Sequence, residues 1–450
     1  MKKLLFFLFL FTAFQATSQL TPVQIAERNK PGTVMILAQY KGHVSAVEPE
    51  VNNEAITELA QQVKAQVENG TITRDQFWNV YLLAFAKNIS LYVVKGTQTY
   101  DKDLDITMVG SGFIVTPDGY VITNAHVVDE NDDETKKSFA EQAFVEILQR
   151  DVKTLEEAMT RPMAEDEKQA ITDAYSWYFS QTMEVSEIEK NFYVQLGITG
   201  KSGKIESLRV PAKIVTQGAP IPGKDVAILK MSEKHQYPTI RVGDDQDMRI
   251  GDQVYVLGYP AVATFHPLIS EESMAEASLT RGLVSARKSM KGGWDVLQID
   301  AAITHGNSGG PVMNENGEVI GLATFGSIDA QRGQEVQGMN FIVPTTVVKE
   351  FIRKGNIHPA MSDISVAYEE AMDLFDQSHF KKALEKFNEV RDMNSSFPFI
   401  DKYVRDTKRK IDQGLDKPEK DPMMMYYIIG GGALLLIIVL VLLFRKRKKA

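Results

Sequence analysis

Residues 303–312 read ITHGNSGGPV. The serine in this run is either a nucleophile or the polar corner of a glycine-rich turn. Three glycines around one serine and one asparagine make a tight turn in any protein, because glycine accepts backbone angles that other residues avoid. For Ser308 to act as a nucleophile, a base must take its proton and a third group must orient that base. Of the seven histidines, His126 stands out because it ends the strand-like run in TNAHVV, where a loop at a strand end would present a side chain. The carboxylate candidate is Asp225 in GKDVAILKM, directly ahead of an apolar strand. The order along the chain is then His126, Asp225, Ser308. With these partners the turn gains a second role, since Gly306 and Ser308 can aim two backbone N–H groups at one point beside the hydroxyl, forming an oxyanion hole. Gly306 permits the backbone angle this requires, while Gly309 and Gly310 leave room for the chain to cross behind the nucleophile. The chemistry is acyl transfer without metal or organic cofactor. His126 acts as general base and then acid, Asp225 orients it, and Ser308 forms the acyl-enzyme.

Those three residues need a scaffold rich in strands, and the text around them supplies one. The segment ITMVGSGFIVTPDGYVITNAHVV (106–128) places alternating apolar residues on either side of Pro117-Asp118-Gly119, in the manner of a hairpin. From about 192 to 344 short apolar runs are divided by glycine turns, which suits an all-β barrel or sandwich. Thr33 to Tyr40 is a further β-rich stretch after a short helical lead-in. Two long insertions break this pattern. EAITELAQQVKAQVENG and RDQFWNVYLLAFAKNIS carry apolar residues at helical spacing and predict a helical insertion over about 45–100. The second, over 129–190, opens with DENDDE, which reads as a solvated loop and helix start or as a cation site.

The 450-residue chain is 44% hydrophobic, ample for a packed core. It contains no cysteine, so disulfides and thiolate metal sites are excluded. The N-terminus MKKLLFFLFLFTAFQATSQ predicts an export signal over residues 1–18. Residues 424–444 form an uncharged stretch long enough to span a hydrocarbon core as a helix. The basic tail 445–450 that follows is expected to be cytoplasmic by the positive-inside rule. Everything between is then extracytoplasmic, and the lack of cysteine favours a bacterial envelope over a eukaryotic secretory route. Without the signal's lysines and the basic tail, the formal charge moves from −9 to about −16, which argues against nucleic acid as a partner.

Set in order, GSGFIVTPDGYVITNAHVV, KDVAILKM, GDQVYVLGYP (251–260), TRGLVSA (280–286), DAAITHGNSGGPV (300–312), GEVIGLATFG and GMNFIVP resemble a trypsin-like serine protease of the HtrA, or DegP-like, family. The resemblance covers roughly residues 22–350. It implies a mainly β, chymotrypsin-like pair of perpendicular six-stranded barrels within a protease domain at 19–357, with the triad in the cleft between them. It maps His126, Asp225 and Ser308 onto the triad, and Gly306 and Ser308 onto the oxyanion hole. Six residues before the nucleophile, where trypsin-type enzymes place a carboxylate, this chain has Ala302, so cleavage after small or medium apolar residues is expected. Asp300 is the nearest carboxylate, and strand alternation turns it elsewhere. His305 is either a loop histidine or a substrate-cleft contact. The implied substrates are unfolded or misfolded proteins and peptides, and relatives are often trimers, so a homo-oligomer stays open.

Where relatives carry a PDZ-like domain, this chain has helical text at 362–415 instead. Ala371, Leu374, Ala383 and Phe387 resemble one tetratricopeptide unit, whereas arrays need about three. A packed helical hairpin that spaces the protease from the membrane and a unit that binds a protein partner are both open readings. The competing functional class is a protease-like scaffold or chaperone that docks partners through this segment.

Overall fold

The structure is a computed structural model that describes residues 19–417 apart from 130, 234, 235, 267 and 329–334. The strands, in chain order, are β1 (Thr33–Val51), β2 (Val93–Ile114), β3 (Tyr120–Thr123), β4 (Met183–Val185), β5 (Glu189–Thr199), β6 (Ile205–Gln217) and β7 (Ala227–Met231). They continue as β8 (Gln253–Gly258), β9 (Ser278–Ser289), β10 (Asp295–Ile299), β11 (Pro311–Met313), β12 (Val319–Ile328) and β13 (Glu335–Pro344). In the first sheet the order is β2-β3-β7-β6-β5-β1, with β4 pairing Val44–Ala46 farther along the β1 edge that β5 occupies. Because β1 also pairs with β2, from Thr33↔Phe113 to Val51↔Val93, the six-strand ring closes on itself. The second sheet is a closed barrel in the order β10-β13-β12-β11-β8-β9.

Strand β1 explains how the two barrels meet. Successive side chains point to opposite faces of a strand. Val34, Ile36 and Ala38 fill the first barrel with Val121, Val194, Val210 and Leu229. Met35 and Leu37, on the other face, join Phe113 and Ile122 against Tyr255, Leu257, Leu322 and Val343 of the second barrel. A strand buried on both faces reads as a continuous apolar run, and VMILA does. The second barrel has its own interior of Val254, Leu297, Ile299, Val312, Ile320 and Ile342.

The helical insertions are shorter than their sequence suggests. Residues 45–51 and 93–100, expected within the first insertion, continue β1 and β2 as a long two-stranded ribbon, and the helices occupy only 53–92. The ribbon's outer part is polar and exposed, so no one-sided apolar pattern marks it as strand. In the second insertion the helices Asp132–Met159 and Glu165–Thr182 end before β4. The acidic run starts the first of these, with the Asn131 side chain accepting from Asp133 N at 3.1 Å. The two insertions build one module: Leu82 from the first packs with Met159, Met163 and Ile171 from the second, and Ile89 and Val93 pack with Ile147, Tyr178 and Phe179.

Helices Asp363–Asp376, Phe380–Met393 and Ile400–Asp412 bury Tyr368, Ala371, Ala383, Phe387 and Tyr403 among themselves. This unit is docked on the body. Arg28 pairs with Asp373 at 2.6 Å, Tyr368 donates to the Glu27 carbonyl at 3.0 Å, and Thr199 donates to the Phe397 carbonyl at 2.7 Å. Among the described residues no helix is long and apolar enough to cross a membrane. The predicted signal (1–18), transmembrane helix (424–444) and basic tail (445–450) lie outside the described residues.

Candidate active site

The turn around Ser308 is held by backbone groups, and its glycines are sterically required. Gly306 and Gly309 adopt φ of 96° and 83°, a region that disfavours any side chain. A Cβ on Gly306 would lie 2.3 Å from the Tyr259 carbonyl oxygen, and one on Gly309 would lie 2.2 Å from Thr123 Oγ1. The chain crossing expected behind the nucleophile is therefore present, with Gly310 packed against the Leu257 carbonyl. Asn307 N donates to the Thr304 carbonyl at 3.0 Å and Gly309 N to that of Ala323 at 2.8 Å. Ser111 ties the turn to the first barrel. Its N–H donates to the Ser308 carbonyl at 2.8 Å and its hydroxyl to the Gly306 carbonyl at 2.6 Å. Among the described residues no protein acceptor takes the N–H of Gly306 or of Ser308. Two adjacent donors without an acceptor, in a turn this constrained, are what a developing oxyanion needs.

His126 and Asp225 meet because of strand register. β3 pairs antiparallel with β7, Thr123 opposite Ala227, so the residues just after β3 lie beside those just before β7. The insertion of 129–190 loops out from this corner without separating them, since long surface loops close at modest entropic cost. His126 Nδ1 donates to Asp225 Oδ2 at 2.7 Å, and the His126 backbone N–H donates to Oδ1 at 2.9 Å. Asp225 is fully buried. A buried carboxylate is tolerated only when its oxygens are satisfied; here a third bond comes from Thr324 Oγ1 at 2.6 Å. With its Nδ1–H held in the hydrogen bond to the carboxylate, the imidazole keeps its lone pair on Nε2, the tautomer of a general base.

Ser308 Oγ is half-buried and donates to the Thr324 carbonyl at 3.1 Å. Among the described residues no hydrogen bond joins it to His126. Thr324 thus serves both halves of the site, its side chain bracing Asp225 and its carbonyl receiving the serine. Thr324 lies within GLATFG and Ser111 within GSGF, but no local pattern distinguishes either from an ordinary strand residue. Thr324→Val keeps the shape and deletes the donor; a hydrogen bond to a charged group contributes about 1.5–3 kcal/mol. We expect kcat/KM for a peptide to fall roughly tenfold or more with KM little changed, and Thr324→Ser to retain activity. A Val variant as active as the unmodified protein removes Thr324 from this role.

The residues expected at the substrate pocket lie on the segment that leads into the turn. Ala302 is exposed, and its carbonyl accepts from Thr280 Oγ1 at 2.9 Å. His305 is exposed beside the turn, its carbonyl accepting from Ala261 N at 2.8 Å. Asp300 turns aside as alternation predicts, its Oδ1 accepting the Leu283 N–H at 2.5 Å.

Residues 110–168 and 182–322 match the trypsin-like peptidase domain. Similar proteins include a probable periplasmic serine endoprotease DegP-like of Bartonella henselae, 35% identical over 136 residues, which are 30% of this chain and 24% of that relative. The protein of the same description from Rhizobium meliloti is 26% identical over 246 residues, 54% of this chain and 32% of the relative. The serine protease Do-like HtrA of Bacillus subtilis is 26% identical over 183 residues, 40% and 39% of the two chains. The chain thus spans about a third of the length of the curated relatives it matches. Over these segments the chain is similar to the trypsin-like peptidase domain and to DegP-like and HtrA serine proteases.

Proposed function

We propose that the protein is a serine endopeptidase working through an acyl-enzyme, with Ser308 as nucleophile, His126 as general base and acid, Asp225 orienting it, and the N–H groups of Gly306 and Ser308 stabilising the oxyanion. The observation that carries this reading is the buried, triply bonded Asp225 holding the His126 ring beside a serine turn with two open N–H donors. A carboxylate kept dry and aimed at one imidazole nitrogen carries a desolvation cost, and orienting a general base is a role that accounts for it. The test is a serine-directed fluorophosphonate probe on the full-length protein. Ser308 is expected to be labelled, and Ser308→Ala to abolish labelling. An unlabelled, folded protein would instead support a protease-like scaffold or chaperone.

The relatives described as probable periplasmic serine endoproteases support the bacterial envelope as the location and protein as the substrate class. The apolar run 424–444 followed by RKRKK supports a single membrane crossing with the catalytic domain outside and the tail in the cytoplasm. Protease added to intact spheroplasts should digest the region before residue 420 and spare an epitope at Ala450. Early loss of that epitope would reverse the topology. We read residues 362–415 as one tetratricopeptide-like unit that buttresses the protease. Ala371, Ala383 and Phe387 are spent on its own core, and Arg28 with Glu27 anchors it to the N-terminal helix.

A further inference from the structure

A substrate's P1 side chain leaves the Cα bonded to the carbonyl under attack, so it enters the protein close to Ser308 Oγ and the two open N–H groups. Two backbone segments of the second barrel flank that point. One runs from Ala301 through Asn307 into the turn. The other is β12 at Thr324–Gly326, whose Thr324 carbonyl receives the serine hydroxyl at 3.1 Å. One side chain bridges them. Asn340, on β13, pairs with Ile299 of β10 on one side and with Gly326 of β12 on the other. Its Nδ2 donates to the Ala301 carbonyl at 2.7 Å, and its Oδ1 lies 3.0 Å from where a Cβ on Gly326 would stand. It is only 4% exposed.

Asn340 shares the strand face of Ile342, two residues on, and of its partner Ile299, both in the second barrel's interior. Its carboxamide therefore caps that apolar interior between the two segments that flank the serine. We infer that Asn340 is the floor of the P1 pocket and restricts cleavage to small P1 residues such as alanine, serine and valine, rejecting leucine and phenylalanine. The inference rests on Ser308 being the nucleophile and extends it to the substrate. Ala302, exposed and held through its carbonyl by Thr280, is the wall of that pocket at most. Asp300, turned to Leu283, leaves the floor uncharged, so lysine and arginine gain no partner there.

The experiment uses the full-length protein and quenched peptides identical except for P1, carrying Ala, Val, Leu or Phe. The unmodified protein should prefer Ala and Val. In Asn340→Gly the pocket continues toward Ile299 and Ile342, and kcat/KM for Leu and Phe should rise at least about tenfold relative to Ala, the scale on which an apolar pocket weighs one or two carbons. Asn340→Gln, which fills the same space further, should depress Val relative to Ala and gives a second readout if the glycine variant folds poorly. An unchanged P1 order in both variants, with fluorophosphonate labelling at the unmodified rate, overturns the assignment of Asn340 alone. Absence of labelling in the unmodified protein overturns it together with the nucleophile.

Discussion

Ser308→Ala is expected to lower peptide hydrolysis by roughly 10⁴ to 10⁶-fold while leaving the fold in place. The two halves of this expectation have separate structural causes. The catalytic loss follows because the hydroxyl is the only atom of Ser308 that could form the acyl bond. The fold is spared because the turn is held by backbone groups that alanine keeps. The Ser308 carbonyl still accepts from Ser111 N, and alanine keeps the backbone N–H that we propose as an oxyanion donor. The one lost contact is the hydroxyl's bond to the Thr324 carbonyl, and a neutral hydrogen bond contributes about 0.5–1.5 kcal/mol. His126→Ala should be similarly severe and the double variant scarcely worse than either single change, because members of a triad act as a unit. Casein-peptide turnover reads the activity, and circular dichroism with thermal melting reads the fold. A folded Ser308→Ala variant that keeps more than about a tenth of the activity, far above the residual a triad leaves, rejects Ser308 as nucleophile.

Asp225→Asn should cost about 10⁴-fold in kcat, and the hydrogen bonds around Asp225 say why an isosteric change is so damaging. The carboxylate accepts three times: the His126 backbone N–H on Oδ1, and His126 Nδ1–H together with Thr324 Oγ1–H on Oδ2. An asparagine has one oxygen and one amide group to divide among these donors. If the amide nitrogen takes the Oδ2 place, it donates to Nδ1 and forces the proton onto Nε2, where the serine proton must go. If the amide flips, its N–H₂ confronts the His126 backbone N–H, donor against donor, in a fully buried site. Leaving such a donor unsatisfied costs about 1–3 kcal/mol. The expected signature is a collapse of kcat with KM nearly unchanged, together with a lowered melting temperature. A folded Asn variant within about tenfold of the unmodified kcat would show that Asp225 does not set the tautomer.

The amino-acid sequence by itself determined what depends on neighbours within a turn or a pleat. Glycine at 306 and 309 follows from backbone angles that only glycine takes easily. The strands near 33–40 and 106–128 follow from apolar spacing, as do the insertion helices and the three C-terminal helices. The candidate triad residues could be picked out because each sits at the end of a local pattern, His126 after a strand, Asp225 before one, Ser308 inside the turn. What only the tertiary structure decided are pairings whose partners lie far apart in the chain. The ribbon of 41–51 with 93–105 is polar on its exposed faces and carries no apolar period, so only its pairing makes it strand. The two insertions become one module because Leu82 finds Met159 and Ile171, which no local propensity encodes. Thr324 braces Asp225 and Ser111 braces Gly306 because the barrels close against each other, and threonine or serine within a strand looks the same whether or not it has a carboxylate to meet. Asn340 is a polar residue in an apolar strand until β10 and β12 flank it. Then its carboxamide is bonded to Ala301 and set before Gly326, between the two segments that flank the serine, a placement that no local pattern encodes.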